Sequence, residues 1–310
     1  MAKRVWLPFD DEAKAVAALG SLPEGLSADY YRRDGDLPES IGEVELLVAP
    51  YMAPPLPLLA RIDEMTSLQV IQLQSAGYDN YVPFLRPGMK LANAAGVHDT
   101  ATAELAVALA LVNLRKLDTF ARNMPTGTWN LEFADSLADR RVLIVGYGRI
   151  GAAIERRVAA FEVASVTRVA RSPRTDPLVH PVTELRSLLA EADVVFVITP
   201  LTPQTEGLIG AEELAAMPDG ALLVNVARGK VVDTAALVDA VKDGRIRASL
   251  DVTDPEPLPS DHPLWTLPGV FISPHGGGQA DAFYPRVHRL MKSQLERFAA
   301  GEPLANIVAE

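Results

Sequence analysis

Residues 142–151 read Val142-Leu143-Ile144-Val145-Gly146-Tyr147-Gly148-Arg149-Ile150-Gly151. The four leading apolar residues predict a buried strand. Ile150, Ile154, Val158 and Phe161 recur at helical spacing and predict a helix directly after it. The glycines between them have separate tasks. Gly146 permits the tight turn, Gly148 lets a pyrophosphate approach the backbone, and Gly151 lets helix and strand pack closely. The first turn of the helix then presents free amides and a positive dipole end to an anion. The same residues also admit a purely structural glycine turn, and a glycine pattern alone is weak. A strand before it and a helix after it favour dinucleotide binding.

Working outward, the alternation of strand and helix continues on both sides. Upstream, strands are expected at Val5–Pro8, Glu45–Ala49 and Leu68–Leu73, with a helix at Asp10–Leu19 stopped by Gly20. A long apolar helix over Thr100–Thr119, capped by Asp99, is too apolar for a surface and must pack in a core or against another subunit. Downstream, strands are expected at Asp193–Ile198, Ala221–Val226, Ala248–Val252 and Val270–Ser273. Helices fall at Glu212–Met217, at Thr234–Lys242 between Asp233 and Gly244, and at Asp281–Ala300 before Gly301. Short apolar strands separated by helices predict an α/β chain of doubly wound parallel sheets. A length of 310 residues predicts two domains.

Composition narrows the chemistry. Apolar residues form 48% and charged residues 22%, which excludes disordered and fibrous classes. The net charge of −11 opposes nucleic acid as a partner while leaving room for a local basic pocket. With no cysteine, disulfides, thiolate metal sites and a cysteine nucleophile are all excluded. The longest apolar run, Leu105–Val112, is far short of the roughly 20 residues that span a bilayer. The apolar stretch at the N-terminus stops at Asp10, Asp11 and Glu12, too soon for a signal-peptide core. A cytoplasmic protein without membrane or nucleic-acid partners is expected. Of the 24 prolines, ten fall in two clusters, at Pro50, Pro54, Pro55 and Pro57 and again from Pro255 to Pro274, where stiff loops could fix side chains.

The end of the strand after the glycine turn discriminates between NAD and NADP. An NAD site needs a carboxylate there for the ribose 2′-hydroxyl. The segment Val166-Thr167-Arg168-Val169-Ala170-Arg171-Ser172-Pro173-Arg174 contains no acid and three arginines. Arg171, Ser172 and Arg174 would suit a 2′-phosphate, because guanidinium binds phosphate through paired hydrogen bonds. NADP is therefore expected, with NAD possible; a solvated basic loop is the plain alternative.

Three further segments close on strand ends: Asn225-Val226-Ala227-Arg228-Gly229, Asp251-Val252-Thr253-Asp254-Pro255-Glu256-Pro257 and Ser273-Pro274-His275-Gly276-Gly277-Gly278. Ligands bind at C-terminal strand ends in doubly wound sheets. Taken singly, each of Arg228, Glu256 and His275 also fits an ordinary surface or turn residue. In this order, together with the glycine turn, the sequence resembles the D-isomer-specific 2-hydroxyacid dehydrogenases, of the glyoxylate/hydroxypyruvate reductase type. The likeness runs over essentially the whole chain.

The resemblance implies a set of roles. Arg228 would bind the substrate's carboxylate and carbonyl oxygen. His275 would be the general acid, and Glu256 its partner, since a neighbouring carboxylate favours a protonated imidazole. Arg149 and Ile150 would meet the pyrophosphate. Tyr147, Thr199, Pro200, Thr205, Val226, Ala227 and Gly277 would line the cofactor, and Asp251 would meet the nicotinamide amide. Backbone amides of Ser75-Ala76-Gly77 would hold the substrate carboxylate alongside Arg228 and His275. No metal is implied. A flavodoxin-like substrate domain would combine 1–95 with 283–310, around a Rossmann-type domain at 96–282. The Thr100–Thr119 helix would serve a homodimer.

Substrate identity is less legible. Tyr51, Met52 and Tyr78 could line an apolar pocket or equally belong to a core. Ending at Glu310, the chain is expected to lack the regulatory domain of many phosphoglycerate dehydrogenases, and a small unphosphorylated 2-oxo or 2-hydroxy acid is the expected partner. The other histidines lack such a motif context: His180, His262 and His288 are expected at the surface, while His98, beside Asp99, could reach the cleft. The alternative from another class is a nicotinamide-sensing, corepressor-like interaction protein of the same fold.

Overall fold

The computed structural model describes residues 2–52 and 58–310, so Pro54, Pro55 and Pro57 lie outside the described residues. The chain divides into two compact units, 1–98 with 281–310, and 99–280. The chain thus leaves the first unit for a complete second one and returns at its last helix.

The first unit opens with β1 (Lys3–Leu7), α1 (Glu12–Leu19), β2 (Leu26–Tyr30), β3 (Val44–Val48), β4 (Val70–Gln72) and β5 (Lys90–Ala92). The second contains α2 (Asp99–Leu114), α3 (Leu117–Asn123), β6 (Arg141–Val145), α4 (Arg149–Val158), β7 (Ser165–Ala170), β8 (Arg174–Thr175) and β9 (Leu178–Pro181). It continues through α5 (Leu185–Leu189), β10 (Val194–Val197), α6 (Ala211–Ala216), β11 (Leu222–Asn225), α7 (Thr234–Lys242), β12 (Arg247–Leu250) and β13 (Val270–Ile272). α8 (Phe283–Ala300) and β14 (Ile307–Ala309) then complete the first unit.

The first sheet runs β14-β5-β4-β3-β1-β2, and the second β13-β12-β11-β10-β6-β7-β9-β8. Each is parallel except for one edge: β14 lies antiparallel to β5, and β8 antiparallel to β9. Side-chain alternation explains why helices cover both faces. In the second unit Leu143, Val145, Val195, Val197 and Leu223 enter one core, with Leu214 of α6 and Leu237 and Val241 of α7. Val142, Ile144, Val194, Phe196 and Val224 enter the opposite core, with Ala103, Ala106, Leu109 and Ala110 of α2 and Ile154 of α4. The first unit repeats the arrangement, with Val5 and Leu7 facing α8 and Trp6 facing away.

Two sequence expectations need correction. The long helix ends at Leu114 rather than Thr119, because Lys116 takes a left-handed conformation at φ 55° and a separate short helix follows. Asp99 is the first helical residue, not the cap. This helix belongs to the core of its own unit: Asn113 Nδ2 donates to Gly269 O at 2.8 Å, and Ser249 Oγ donates to Leu109 O at 3.0 Å. Other signals sit as read. Asp233 accepts from Ala236 N at the start of α7, and Gly301 ends α8 at φ 71°. No described helix is long and apolar enough to cross a membrane.

Candidate active site

The glycine turn is held by contacts that only glycine allows. Gly146 sits at φ 107°, and a Cβ there would lie 2.6 Å from the Ile198 carbonyl. A Cβ on Gly151 would lie 2.4 Å from Gly146 O, so the start of α4 rests directly on the end of β6. At Gly148 a Cβ would meet no protein atom within 4 Å. That open edge faces the N-terminus of α4, whose cap Gly148 has no side chain to satisfy the first amides. Thr199 Oγ1, in the segment after β10 that touches Gly146, is buried without a hydrogen-bond partner among the described residues. An open cradle, uncapped amides and an orphaned hydroxyl are what a bound dinucleotide would complete. Thr205 Oγ1 donates to Pro200 O at 2.6 Å and accepts from Thr202 N at 2.8 Å, which fixes the loop beyond Thr199.

Beside this turn the three arginines part ways. Arg168, not among the residues expected at the phosphate, pairs with Glu155. Its guanidinium lies 5.5 Å from the Tyr147 ring centroid. Arg174 lies 5.3 Å from the same ring and donates to Tyr147 O at 2.5 Å. The Tyr147 hydroxyl donates to Glu155. Glu155 is held below the usual carboxylate range, chiefly by the Arg168 hydrogen bond. Arg171 and Ser172 stand exposed at the end of β7. The Arg149 side chain is paired with Asp99 at 2.8 Å, leaving its backbone amide to the helix N-terminus.

Three strand ends of the same unit carry the remaining residues. After β11, buried Asn225 shapes the turn from both sides: its Nδ2 donates to Arg228 O at 3.0 Å, and its Oδ1 accepts from Ala227 N at 3.0 Å. Val226 and Ala227 are buried, Arg228 is half-buried, and Gly229 packs so tightly that a Cβ would lie 2.0 Å from the Thr253 carbonyl. Glu256 follows β12, and His275 follows β13. His275 Nδ1 lies 2.5 Å from Glu256 Oε1. Burial alone would raise the Glu256 carboxyl. The hydrogen bond and charge of His275, with help from the Arg228 charge, outweigh this and hold it below its ordinary value.

Asp251 is the residue whose main contacts sequence reasoning missed. It is 3% exposed, and accepts from Ser273 Oγ at 2.5 Å, Gly276 N at 2.7 Å and Gly277 N at 2.9 Å. It therefore fastens both flanks of His275, which itself sits at φ 53°. A carboxylate offers about four lone-pair sites, so about one remains for a nicotinamide amide.

The other expected residues lie in the first unit. Ser75, Ala76 and Gly77 follow β4, with Ser75 Oγ donating to Gly77 O at 2.8 Å. Tyr51 stacks on Phe283 at 4.0 Å and on His98 at 5.6 Å, and Tyr78 packs on the cluster around Trp6. Both tyrosines thus contribute to core packing, while Met52 is exposed. His98 is buried, with Nε2 2.9 Å from Gln74 O. His288 is half-buried against Phe9 and Tyr284 rather than on the surface, and burial lowers its pKa. His180, in the second unit, pairs with Glu184 at 2.7 Å. Among the described residues no group of three or more His, Cys, Asp or Glu is placed to hold a metal ion.

Residues 107–277 match the family model described as D-isomer specific 2-hydroxyacid dehydrogenase, NAD binding domain. The chain belongs to the D-isomer specific 2-hydroxyacid dehydrogenases. Among its relatives, a protein named glyoxylate reductase from Korarchaeum cryptofilum is 34% identical over 78% of this chain and 76% of its own. A protein named D-3-phosphoglycerate dehydrogenase from Archaeoglobus fulgidus is 32% identical over 80% of this chain, but that match spans only 48% of the relative. A crystal structure described as an NADPH-dependent glyoxylate/hydroxypyruvate reductase from Sinorhizobium meliloti, in complex with NADP and malonate, superposes with a TM-score of 0.82. It is 27% identical and covers 100% of this chain and 97% of its own. This dehydrogenase is thus an α/β oxidoreductase that uses a nicotinamide cofactor on small 2-oxo and 2-hydroxy acids.

Proposed function

We propose that the enzyme reduces small unphosphorylated 2-oxo acids of the glyoxylate and hydroxypyruvate type, with NADPH preferred over NADH. The single observation carrying this reading is the His275–Glu256 pair, 2.5 Å apart, in the unit that also holds the glycine turn and Arg228. Glu256 engages Nδ1, so Nε2 is the ring atom that can hand a proton to a carbonyl oxygen. A bound reduced nicotinamide supplies the hydride to the carbonyl carbon. The proton from Nε2 reaches the oxygen as the C=O pair becomes a C–O single bond, and His275 is left neutral. The Glu256 carboxylate accepts from Nδ1 and so fixes the orientation of the ring for that transfer. Arg228 offers a planar fork of donors suited to the substrate's carboxylate and carbonyl oxygen.

Arg171, Ser172 and Arg174, with no acid between Val166 and Arg174, support the NADPH preference. The names of the K. cryptofilum and S. meliloti relatives support the substrate class. The test follows NADPH and NADH oxidation across a panel of 2-oxo acids. Turnover of glyoxylate or hydroxypyruvate with a higher kcat/KM for NADPH is expected. Equal or better use of NADH overturns the cofactor preference. Inactivity across the panel with nucleotide binding intact replaces the enzyme with a nicotinamide sensor.

A homodimer is the assembly this reading includes. Beyond α3, Met124, Trp129, Leu131 and Phe133 are 78%, 99%, 88% and 100% exposed. Such a run of large apolar side chains on one surface segment is rare in monomers and fits the cover of a second copy. This reading puts the contact on residues 117–133 rather than on α2, whose apolar face packs in the core of its own unit.

A further inference from the structure

The Tyr147 ring has a position that the glycine turn does not demand. The turn needs glycine at 146, 148 and 151, whereas residue 147 may be any side chain. Here it is an aromatic ring with a guanidinium near it on each of two neighbouring segments, Arg168 at 5.5 Å and Arg174 at 5.3 Å. Arg168 is immobilised by Glu155, which also accepts from the Tyr147 hydroxyl. The ring is thus locked from behind by an ion pair with both side chains about four-fifths covered, 21% and 18% exposed. Its other partner, Arg174, is exposed and pairs with no carboxylate among the described residues; it is held by the ring and by Tyr147 O at 2.5 Å. A long arginine on an exposed segment ordinarily loses rotamer entropy when it binds a ligand, and prior fixation reduces that loss.

We propose that Tyr147 is a specificity-determining residue for the phosphorylated cofactor, which pre-positions Arg174 for a 2′-phosphate while Glu155 and Arg168 hold Tyr147 in place. The assignment rests on the NADPH preference proposed above. It divides the basic segment into a prearranged ligand, Arg174, and an exposed one, Arg171. It also predicts that discrimination depends on a residue that need not touch the phosphate.

The experiment is a double-mutant cycle of Tyr147→Leu and Arg174→Leu, read by calorimetric titration of the protein with 2′,5′-ADP and with 5′-AMP. Arg174→Leu is expected to weaken 2′,5′-ADP about 10–100-fold, as loss of a charge-assisted phosphate contact would. Tyr147→Leu is expected to weaken it about 3–5-fold, the range of an exposed cation–π contact, and to leave 5′-AMP unchanged. In the Arg174→Leu background the Tyr147 change is expected to have no further effect, because its action passes through Arg174. Tyr147→Phe retains the ring but loses the hydroxyl bond to Glu155, and is expected to fall between the wild type and the Leu variant.

Four results overturn the proposal while sparing the NADPH preference: an equal loss in both backgrounds, an equal loss for both ligands, affinity unaltered by Tyr147→Leu, or a Phe variant as weak as the Leu variant. A wild-type protein that binds 5′-AMP as well as 2′,5′-ADP removes the cofactor preference itself, and this proposal with it.

Discussion

Replacing Asp251 by Asn should unfasten the His275 loop. The carboxylate accepts from one hydroxyl and two backbone amides, all at 2.9 Å or less, and is 3% exposed. An amide has one acceptor oxygen and one donor nitrogen. Its nitrogen must then face Gly277 N, or face Gly276 N and Ser273 Oγ. The hydroxyl can turn to accept, but a backbone N–H cannot, so either orientation strands a buried amide. An orphaned buried donor costs about 1–3 kcal/mol, and each surviving bond loses about 1 kcal/mol when its acceptor is no longer charged. The total is about 3–4 kcal/mol. In a unit of this size roughly 2–4 °C of Tm accompanies each kcal/mol, so a fall of about 6–15 °C is expected. Scanning calorimetry measures it, and hydrogen exchange at the Gly276 and Gly277 amides should accelerate locally. Ser273→Ala removes one bond to the carboxylate and should cost about 1.5–3 kcal/mol. An Asn variant melting within about 2 °C of wild type, with unaltered exchange at both glycines, would refute the anchoring role.

The remaining expectations are more direct. His275→Ala should lose most reductase activity in a steady-state assay while NADPH binding, followed by fluorescence titration, survives; retained kcat would refute the acid role. Gly229→Ala should fold poorly or melt far lower, because its Cβ would lie 2.0 Å from the Thr253 carbonyl, and a Tm equal to wild type would contradict the packing. Glu256 is held below its ordinary value of 4.5 in the folded protein, so its contribution is present above that pH and lost as pH falls through the lower folded value. Denaturant midpoints of wild type and Glu256→Gln should therefore differ at pH 7 and converge in acid; a gap that widens on acidification would reverse the sign. A Trp129→Ser, Phe133→Ser double variant should shift to monomer in analytical ultracentrifugation, and an unchanged assembly would move the interface elsewhere.

What could be read from the sequence was whatever neighbours in the chain decide. The glycine turn is visible because the spacing of three residues sets the backbone, and each Cβ clash at Gly146 and Gly151 matches the role its position implied. The apolar strands β6, β10 and β11 were visible because both faces are buried, which leaves unbroken runs such as Val194–Val197. β2 was missed because it is half-buried throughout, and its sequence Leu26-Ser27-Ala28-Asp29-Tyr30 contains no apolar run. β8, with two residues, and the antiparallel edge β14 owe their state to pairing partners rather than to their own composition. The break at Lys116 gave no glycine or proline signal, since a lysine occupies the left-handed position.

Side-chain partnerships across strands lie beyond that range for a physical reason. Asp251 reaches the His275 loop because β12 and β13 are parallel neighbours, with Leu250 opposite Ile272, which places residues 25 and 26 apart in sequence within hydrogen-bonding distance. Arg168 reaches Glu155 and Tyr147 because β7 lies beside β6, with Ile144 opposite Arg168. Sheet order therefore turns a basic run that looked uniform into one arginine committed to a carboxylate, one held against a ring and one exposed. The same reasoning separates holding from reacting in the reaction centre. Asn225 and Asp251 are buried and bonded to backbone, so they shape the loops; Arg228, Glu256 and His275 stay partly accessible, as the roles proposed for them require. A motif names both kinds of residue alike, and only the packing around each one distinguishes them.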